Sequence, residues 1–324
     1  MKFVIWRAYH LESKEIIDDY ISRIQKLLSG HELAVCENVE TIKREIADAD
    51  VMIGWRITPE VFAEAKKLKW IQFGSAGIDH TVFPELVKSD IVLTTLSGIH
   101  TTVVAEHVLG MMLALARRFD VAARLQAAHN YDRIELAGTS TELADKTIGI
   151  IGLGKIGLNI ARLAKAFGMH VVGTKRTVRG DLPNVDELYP ASNLDKILPI
   201  SDYLVIAVPL TSDTSALIGP DQINKMKQGA YLINVARGAM VDHEALGKAL
   251  KNGKLGGAAL DVFPAEPLPS GSPIWDLPNT IITPHTGASS ARYGERAIKI
   301  LRHNLDAFLT GKQMINIYQK ERGY

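Results

Sequence analysis

Three glycines, Gly152, Gly154 and Gly157, constrain this chain more than any other feature, because their GxGxxG spacing joins the strand-like run TIGII to the helix-like run IGLNIARLAKAFG. Each has a separate duty in that context. The first allows a tight turn, the second lets backbone approach a pyrophosphate, and the third lets a helix pack close against a strand. At the helix start, Lys155, Ile156 and Gly157 then offer backbone N–H groups to phosphate charge, so the loop predicts a βα unit that holds a dinucleotide.

The runs that follow, HVVG, YLVIAV, YLINVA, GAALDV and TIITP, are apolar without alternation, as expected of parallel strands covered by helices on both faces. A second series precedes the loop: FVIW, LAVC, VMIGW, WIQF and IVLTT alternate with polar helical stretches at 15–28 and 59–67. Residues 101–117 carry Val104, Val108, Met111, Met112 and Leu115 at helical spacing, and residues 289–309 read as a last helix capped by Gly311. At about 150 residues per domain, a chain of 324 residues has room for two. The expectation is an α/β protein with two Rossmann-like domains, each built on a parallel sheet.

Charge narrows the partners. Lys plus Arg number 37 against 36 for Asp plus Glu, so nothing global attracts a nucleic acid. The single cysteine, Cys36, excludes an internal disulfide, a thiolate zinc cluster and a CxxC redox pair. The start MKFVIWRAYH has too short an apolar run for a signal peptide, and VLGMMLALA at 108–116 falls far short of the roughly 20 residues of a membrane span. A reducing, cytoplasmic setting is expected. A serine-hydrolase elbow G-x-S-x-G does not occur, and HEALG at His243 lacks the second histidine of a zinc-protease helix.

Roughly 20 residues beyond the glycine loop, where an acidic residue would hold an NAD ribose, the sequence reads VVGTKRTVR. Lys175, Arg176 and Thr177 stand there, with Arg179 close behind. Cations at that strand end suit a 2′-phosphate and so favour NADPH, with NAD still possible; the other reading is a solvated basic turn.

Three ionisable residues each follow one of the later strand-like runs: Arg237 after YLINVA, Glu266 after GAALDVFPA and His285 after TIITP. Ligands of open α/β sheets bind beyond the carboxyl ends of the strands, so the three are candidates for one site.

Here the chain resembles the D-isomer-specific 2-hydroxyacid dehydrogenase family, in its glyoxylate/hydroxypyruvate reductase-like branch. The matching segments are GSAGID (74–79), AEHVLGMMLALAR (105–117), GIIGLGKIG (149–157), VPLT (208–211), NVARGAMVD (234–242), ALDVFPAEPL (259–268) and TPHTG (283–287). The resemblance implies that Arg237 holds the substrate carboxylate and carbonyl, and that His285 is the acid/base with Glu266 as its partner. It also implies that the backbone N–H groups of Ser75, Ala76 and Gly77 help to hold the carboxylate. Asn234, Val235, Ala236, Asp261, His285 and Gly287 would lie at the nicotinamide, and Val208 and Pro209 on the adenine side. By the same resemblance, residues 1–98 and 289–324 form a flavodoxin-like substrate domain around an inserted dinucleotide-binding domain, residues 99–288. A homodimer through the helix at 101–117 is implied as well.

The chemistry agrees with that transfer, because reducing a 2-keto acid needs a hydride at C2 and a proton at the carbonyl oxygen. A histidine supplies the proton, a carboxylate beside it favours the protonated ring, and an arginine fork matches a carboxylate. Formate dehydrogenases share the fold but carry Gln where Glu266 stands, which disfavours that branch. A dinucleotide-sensing corepressor-like protein is the alternative of a different class, separated from an enzyme by the absence of steady turnover.

Overall fold

A computed structural model of the chain describes residues 1–7, 13–178 and 180–323. The chain divides into two compact units, Met1–His100 with Ser289–Tyr324, and Thr101–Ala288. Among the described residues no helix is long and apolar enough to cross a membrane.

The first unit holds five strands: β1 (Lys2–Trp6), β2 (Glu32–Cys36), β3 (Val51–Gly54), β4 (Trp70–Phe73) and β5 (Val92–Thr94). They pair in parallel in the order β2-β1-β3-β4-β5. Because side chains alternate along a strand, one face of this sheet buries Phe3, Ile5, Val51, Ile53 and Trp70, and the other buries Val4, Trp6, Met52, Ile71 and Phe73. Each face needs its own cover. The first receives the helix Lys14–Leu27, through Ile17, Tyr20 and Ile24, and the terminal helix Tyr293–Thr310, through Ala297, Leu301 and Leu305.

A buried polar cluster fixes the terminal helix on its sheet. The fully buried Asn304 donates from Nδ2 to Gln72 Oε1 at 3.0 Å and accepts the Ile315 N–H at 2.8 Å, while Thr94 donates to the same Gln72 oxygen at 2.9 Å. Removing the amide would take one hydrogen bond from the fully buried Gln72 side chain and the acceptor from the Ile315 N–H. Asn304→Leu is therefore expected to destabilise the first unit by about 2 to 4 kcal/mol, read as a lower urea midpoint; an unchanged midpoint would show that the cluster is dispensable.

The second unit holds β6 (Thr147–Ile151), β7 (His170–Lys175), β8 (Glu187–Pro190), β9 (Tyr203–Ile206), β10 (Ala230–Asn234), β11 (Leu255–Leu260) and β12 (Thr280–Ile282). These seven are parallel, in the order β12-β11-β10-β9-β6-β7-β8. The winding reverses between β6 and β9, the place where open sheets of this kind receive a ligand. Alternation again feeds two cores, with Ile148, Ile150, Val171 and Val205 on one face and Ile151, Val172, Leu204 and Ile206 on the other. The helix Thr101–Ala116 buries Val104, Val108, Met111, Met112 and Leu115, as its spacing predicts.

Two expectations differ in extent. The helix read over 59–67 is only Pro59–Phe62, since its second half gives way to turns around two exposed lysines. The last helix begins at Tyr293 rather than 289, after a turn in which Ser290 accepts the Tyr293 and Arg292 N–H groups, and it ends on Gly311 at φ +66° as expected. Arg179 lies outside the described residues.

Candidate active site

The loops after β6, β7, β9, β10, β11 and β12 leave one edge of a parallel sheet, and every candidate residue of the second unit stands on one of them, at the start of the helix Lys155–Ala166 or, as Lys175 and Asn234 do, at the last position of a strand. The glycine loop comes first. Gly152 has φ +103°, and a Cβ there would meet Val208 Cγ1 at 2.5 Å and the Ala207 carbonyl oxygen at 2.7 Å. At Gly157 a Cβ would fall 2.1 Å from the Gly152 carbonyl oxygen, so only glycine lets the helix Lys155–Ala166 come this close. Gly154, by contrast, has nothing within 4 Å of that position. The helix starts there without a side-chain cap. An open backbone face at an uncapped helix start, between two crowded glycines, fits a pyrophosphate.

The end of β7 is tied to this loop by the Leu153 N–H, which donates to the Thr174 carbonyl at 2.8 Å. Lys175 is half-buried, and Arg176 and Thr177 are exposed, at the strand end beside the glycine loop. After β9, Val208 packs on Gly152, and Pro209 is exposed with its carbonyl accepting Thr214 Oγ1 at 2.7 Å.

Beyond β10 the fully buried Asn234 shapes the turn that carries Arg237. Its Oδ1 accepts the Ala236 N–H at 3.0 Å and its Nδ2 donates to the Arg237 carbonyl at 2.9 Å. The turn is pressed against the loop after β11, since a Cβ on Gly238 would lie 1.9 Å from the Phe263 carbonyl carbon. The Phe263 N–H in turn donates to Glu266 Oε1 at 2.8 Å, and the other carboxylate oxygen, Oε2, lies 2.6 Å from His285 Nδ1. Backbone packing thus brings the Arg237 turn, Glu266 and His285 into adjoining segments.

His285 stands in the left-handed region at φ +53°, which places its ring on a loop that must be held in shape. Asp261 does the holding. Only 3% exposed, it accepts the Thr283 hydroxyl at 2.6 Å, the Thr286 N–H at 2.9 Å and the Gly287 N–H at 3.0 Å. Burial acts to raise its carboxyl, but the hydrogen bonds of His107, Thr283 and Gly287 outweigh it and hold Asp261 below the usual carboxylate range. His107 Nε2 lies 3.1 Å from Thr283 Oγ1. Since the hydroxyl gives its one proton to Asp261, the ring nitrogen is the donor.

The same logic assigns the proton on His285. A carboxylate only accepts, so Nδ1–H points at Glu266, and Nε2 has no hydrogen bond among the described residues. Both side chains are about one-third exposed, at 32% and 33%, so a small molecule can reach the pair.

In the first unit, the loop after β4 turns its carbonyls inward. The Gly74 carbonyl accepts Tyr293 OH at 2.5 Å, that of Ser75 accepts the Leu96 N–H at 2.9 Å, and that of Gly77 accepts Ser75 Oγ at 3.0 Å. Among the described residues, the N–H groups of Ser75, Ala76 and Gly77 meet no acceptor. Three successive backbone donors at the end of β4 are thus left open to an acceptor from outside the chain.

Comparison with known proteins identifies the family of the chain. Residues 109–287 match the family model described as D-isomer specific 2-hydroxyacid dehydrogenase, NAD binding domain. The glyoxylate reductase of Thermofilum pendens is 37% identical over 287 residues, covering 87% of this chain and 85% of that one. Glyoxylate/hydroxypyruvate reductase B of Pectobacterium carotovorum is 35% identical over 305 residues, with 92% and 94% covered. Among solved structures, the NADPH-dependent glyoxylate/hydroxypyruvate reductase of Sinorhizobium meliloti, in complex with NADP and sulfate, is similar with a TM-score of 0.84 at 29% identity, over 100% of both chains.

Proposed function

The chain belongs to the D-isomer specific 2-hydroxyacid dehydrogenase family, and from that premise we propose that it reduces a small 2-keto acid, glyoxylate or hydroxypyruvate, to the D-2-hydroxy acid, with NADPH preferred over NADH. The observation that carries this reading is the His285–Glu266 pair at 2.6 Å, on the sheet edge that also bears the glycine loop.

A bound nicotinamide dinucleotide supplies the hydride for C2 of the substrate. Every other duty falls to side chains and backbone of the chain. Gly152, Gly154 and the helix start from Lys155 to Gly157 hold the pyrophosphate, Val208 and Pro209 flank the adenine side, and Asn234, Val235, Ala236 and Gly287 border the nicotinamide. Asp261 acts there chiefly by holding the loop that carries His285. The guanidinium of Arg237 takes the substrate carboxylate and carbonyl in its fork, and the N–H groups of Ser75, Ala76 and Gly77 add donors to the same carboxylate. His285 delivers its Nε2 proton to the carbonyl oxygen while Glu266, on Nδ1, keeps the ring oriented and stabilises its charge. The same reading divides the chain into a substrate domain, residues 1–98 and 289–324, and a dinucleotide-binding domain, residues 99–288. It includes a homodimer through the helix Thr101–Ala116, supported by the exposed Phe119, Tyr131 and Ile134 that follow it.

The cofactor preference rests on Lys175, Arg176 and Thr177, where a cation attracts a 2′-phosphate that an acidic residue would repel. One partly solvated contact of this kind is expected to give about a 5- to 150-fold advantage. A panel of 2-keto acids assayed with NADPH and with NADH tests both parts at once. Glyoxylate or hydroxypyruvate is expected to be the best substrate, and Arg176→Ala should lower the NADPH/NADH ratio of kcat/KM; equal use of both cofactors by the wild type would return the basic run to a solvated turn.

A further inference from the structure

We propose that Tyr293 is a positioning residue for the substrate: reaching from the terminal helix, its hydroxyl clamps the Gly74 carbonyl against Trp55, so that the N–H groups of Ser75, Ala76 and Gly77 stay presented to the carboxylate of a 2-keto acid. The inference rests on the reading of that loop as the carboxylate nest, and adds what sets its shape.

A loop presents successive N–H groups only if its carbonyls are committed elsewhere, because each peptide unit turns as a plane. The Ser75 carbonyl, which shares a peptide plane with the Ala76 N–H, is committed to the Leu96 N–H on the neighbouring strand end, and the Gly74 carbonyl shares its plane with the Ser75 N–H. Gly74 is different. Its carbonyl is taken by a side chain 219 positions away in sequence, at 2.5 Å. The other side of Gly74 is closed by the Trp55 indole, which lies 2.5 Å from where a Cβ would stand, so the residue is gripped from both sides and must be glycine. Tyr293 is itself held. Its ring meets Tyr20 edge-on at 5.3 Å and stacks on His100 at 6.2 Å, and only 3% of the residue is exposed, so the hydroxyl has little freedom to leave its acceptor. Neighbouring Gly54 holds the start of the loop, accepting the Gly74 N–H at 2.7 Å.

A residue that shapes a carboxylate nest changes substrate binding and leaves cofactor binding and the proton step alone. In the enzyme, Tyr293→Phe keeps the ring and removes the hydroxyl that makes the clamp. The KM for glyoxylate is expected to rise about 3- to 10-fold with kcat within about twofold and NADPH affinity unchanged. Oxamate, an unreactive mimic of a 2-keto acid, should protect the 74–79 amides from hydrogen–deuterium exchange in the NADPH-loaded wild type and protect them less in the variant. Ala76→Pro removes one nest N–H directly and tests the underlying reading. If Ala76→Pro leaves both KM and oxamate protection at wild-type values, the nest does not hold the carboxylate and both ideas fall. If Ala76→Pro raises KM while Tyr293→Phe changes neither KM nor protection, the nest stands and the clamp is overturned. A Tyr293→Phe enzyme that loses kcat or NADPH affinity as much as it gains KM also overturns the clamp, because the damage is then general.

Discussion

His285→Ala is expected to lower kcat for glyoxylate reduction by about 10²- to 10⁴-fold, since a positioned acid/base group contributes on that scale. NADPH affinity should fall far less than kcat, because His285 meets the cofactor only at the nicotinamide, from the loop after β12, whereas the glycine loop that takes the pyrophosphate follows β6. Glu266→Gln is expected to fall between wild type and His285→Ala. The amide retains a hydrogen bond to Nδ1 at the position now occupied by a carboxylate oxygen 2.6 Å away, but it gives up the negative charge that stabilises the protonated ring. The pair of variants separates orientation from charge. A His285→Ala enzyme with unimpaired kcat would remove the residue from the chemistry.

The second large effect is expected at Gly157. Its replacement by alanine places a Cβ 2.1 Å from the Gly152 carbonyl oxygen and 3.0 Å from the carbonyl carbon. Both are backbone atoms, so no side chain can swing away to make room. The helix Lys155–Ala166 must lift off β6, with a predicted loss of about 2 to 4 kcal/mol in stability and of at least about tenfold in NADPH affinity. Gly154→Ala provides the contrast. Nothing lies within 4 Å of its Cβ, so stability should hold while cofactor affinity drops, because the added methyl occupies the face left open for a pyrophosphate. Thermal unfolding without cofactor and fluorescence titration with NADPH read the two quantities separately. Equal stability of Gly157→Ala and wild type would contradict the packing account.

The glycine loop was legible in the chain because its requirements are backbone requirements, and few residue types satisfy them. The same holds for the apolar runs that became β6, β9, β10 and β11: strands buried on both faces have little choice of side chain. β8 carried no such signal. It is an edge strand, ELYP, half-buried and ending in Pro190, so neither alternation nor an apolar run marks it. Residues Arg237, Glu266 and His285 could be read as a set only from their positions after strands and from family resemblance. What joins their segments, the approach of Gly238 to Phe263 and the bond from Phe263 to Glu266, arises from packing between loops.

Asp261 and His107 show the limit most clearly. Resemblance places Asp261 beside the nicotinamide; what it does not announce is that the same oxygens accept from Thr283, Thr286 and Gly287 and so hold the His285 loop. The His107 contact joins the helix Thr101–Ala116 to a residue 176 positions later, and nothing local to either segment announces it. Tyr293 is hidden for the same reason. In sequence it is one aromatic at the start of a helix, and its partner Gly74 becomes apparent only when the terminal helix lies on the first sheet.

The most direct test of the central claim is a single reaction: hydroxypyruvate and NADPH incubated with the protein, with NADPH oxidation followed at about 340 nm and the glycerate formed resolved by chiral chromatography. Sustained turnover that yields D-glycerate, one molecule for each NADPH consumed, is the predicted result. Binding of NADPH without turnover of hydroxypyruvate or glyoxylate would contradict the account and favour a dinucleotide sensor, and formation of L-glycerate would place the hydride on the wrong face of the substrate.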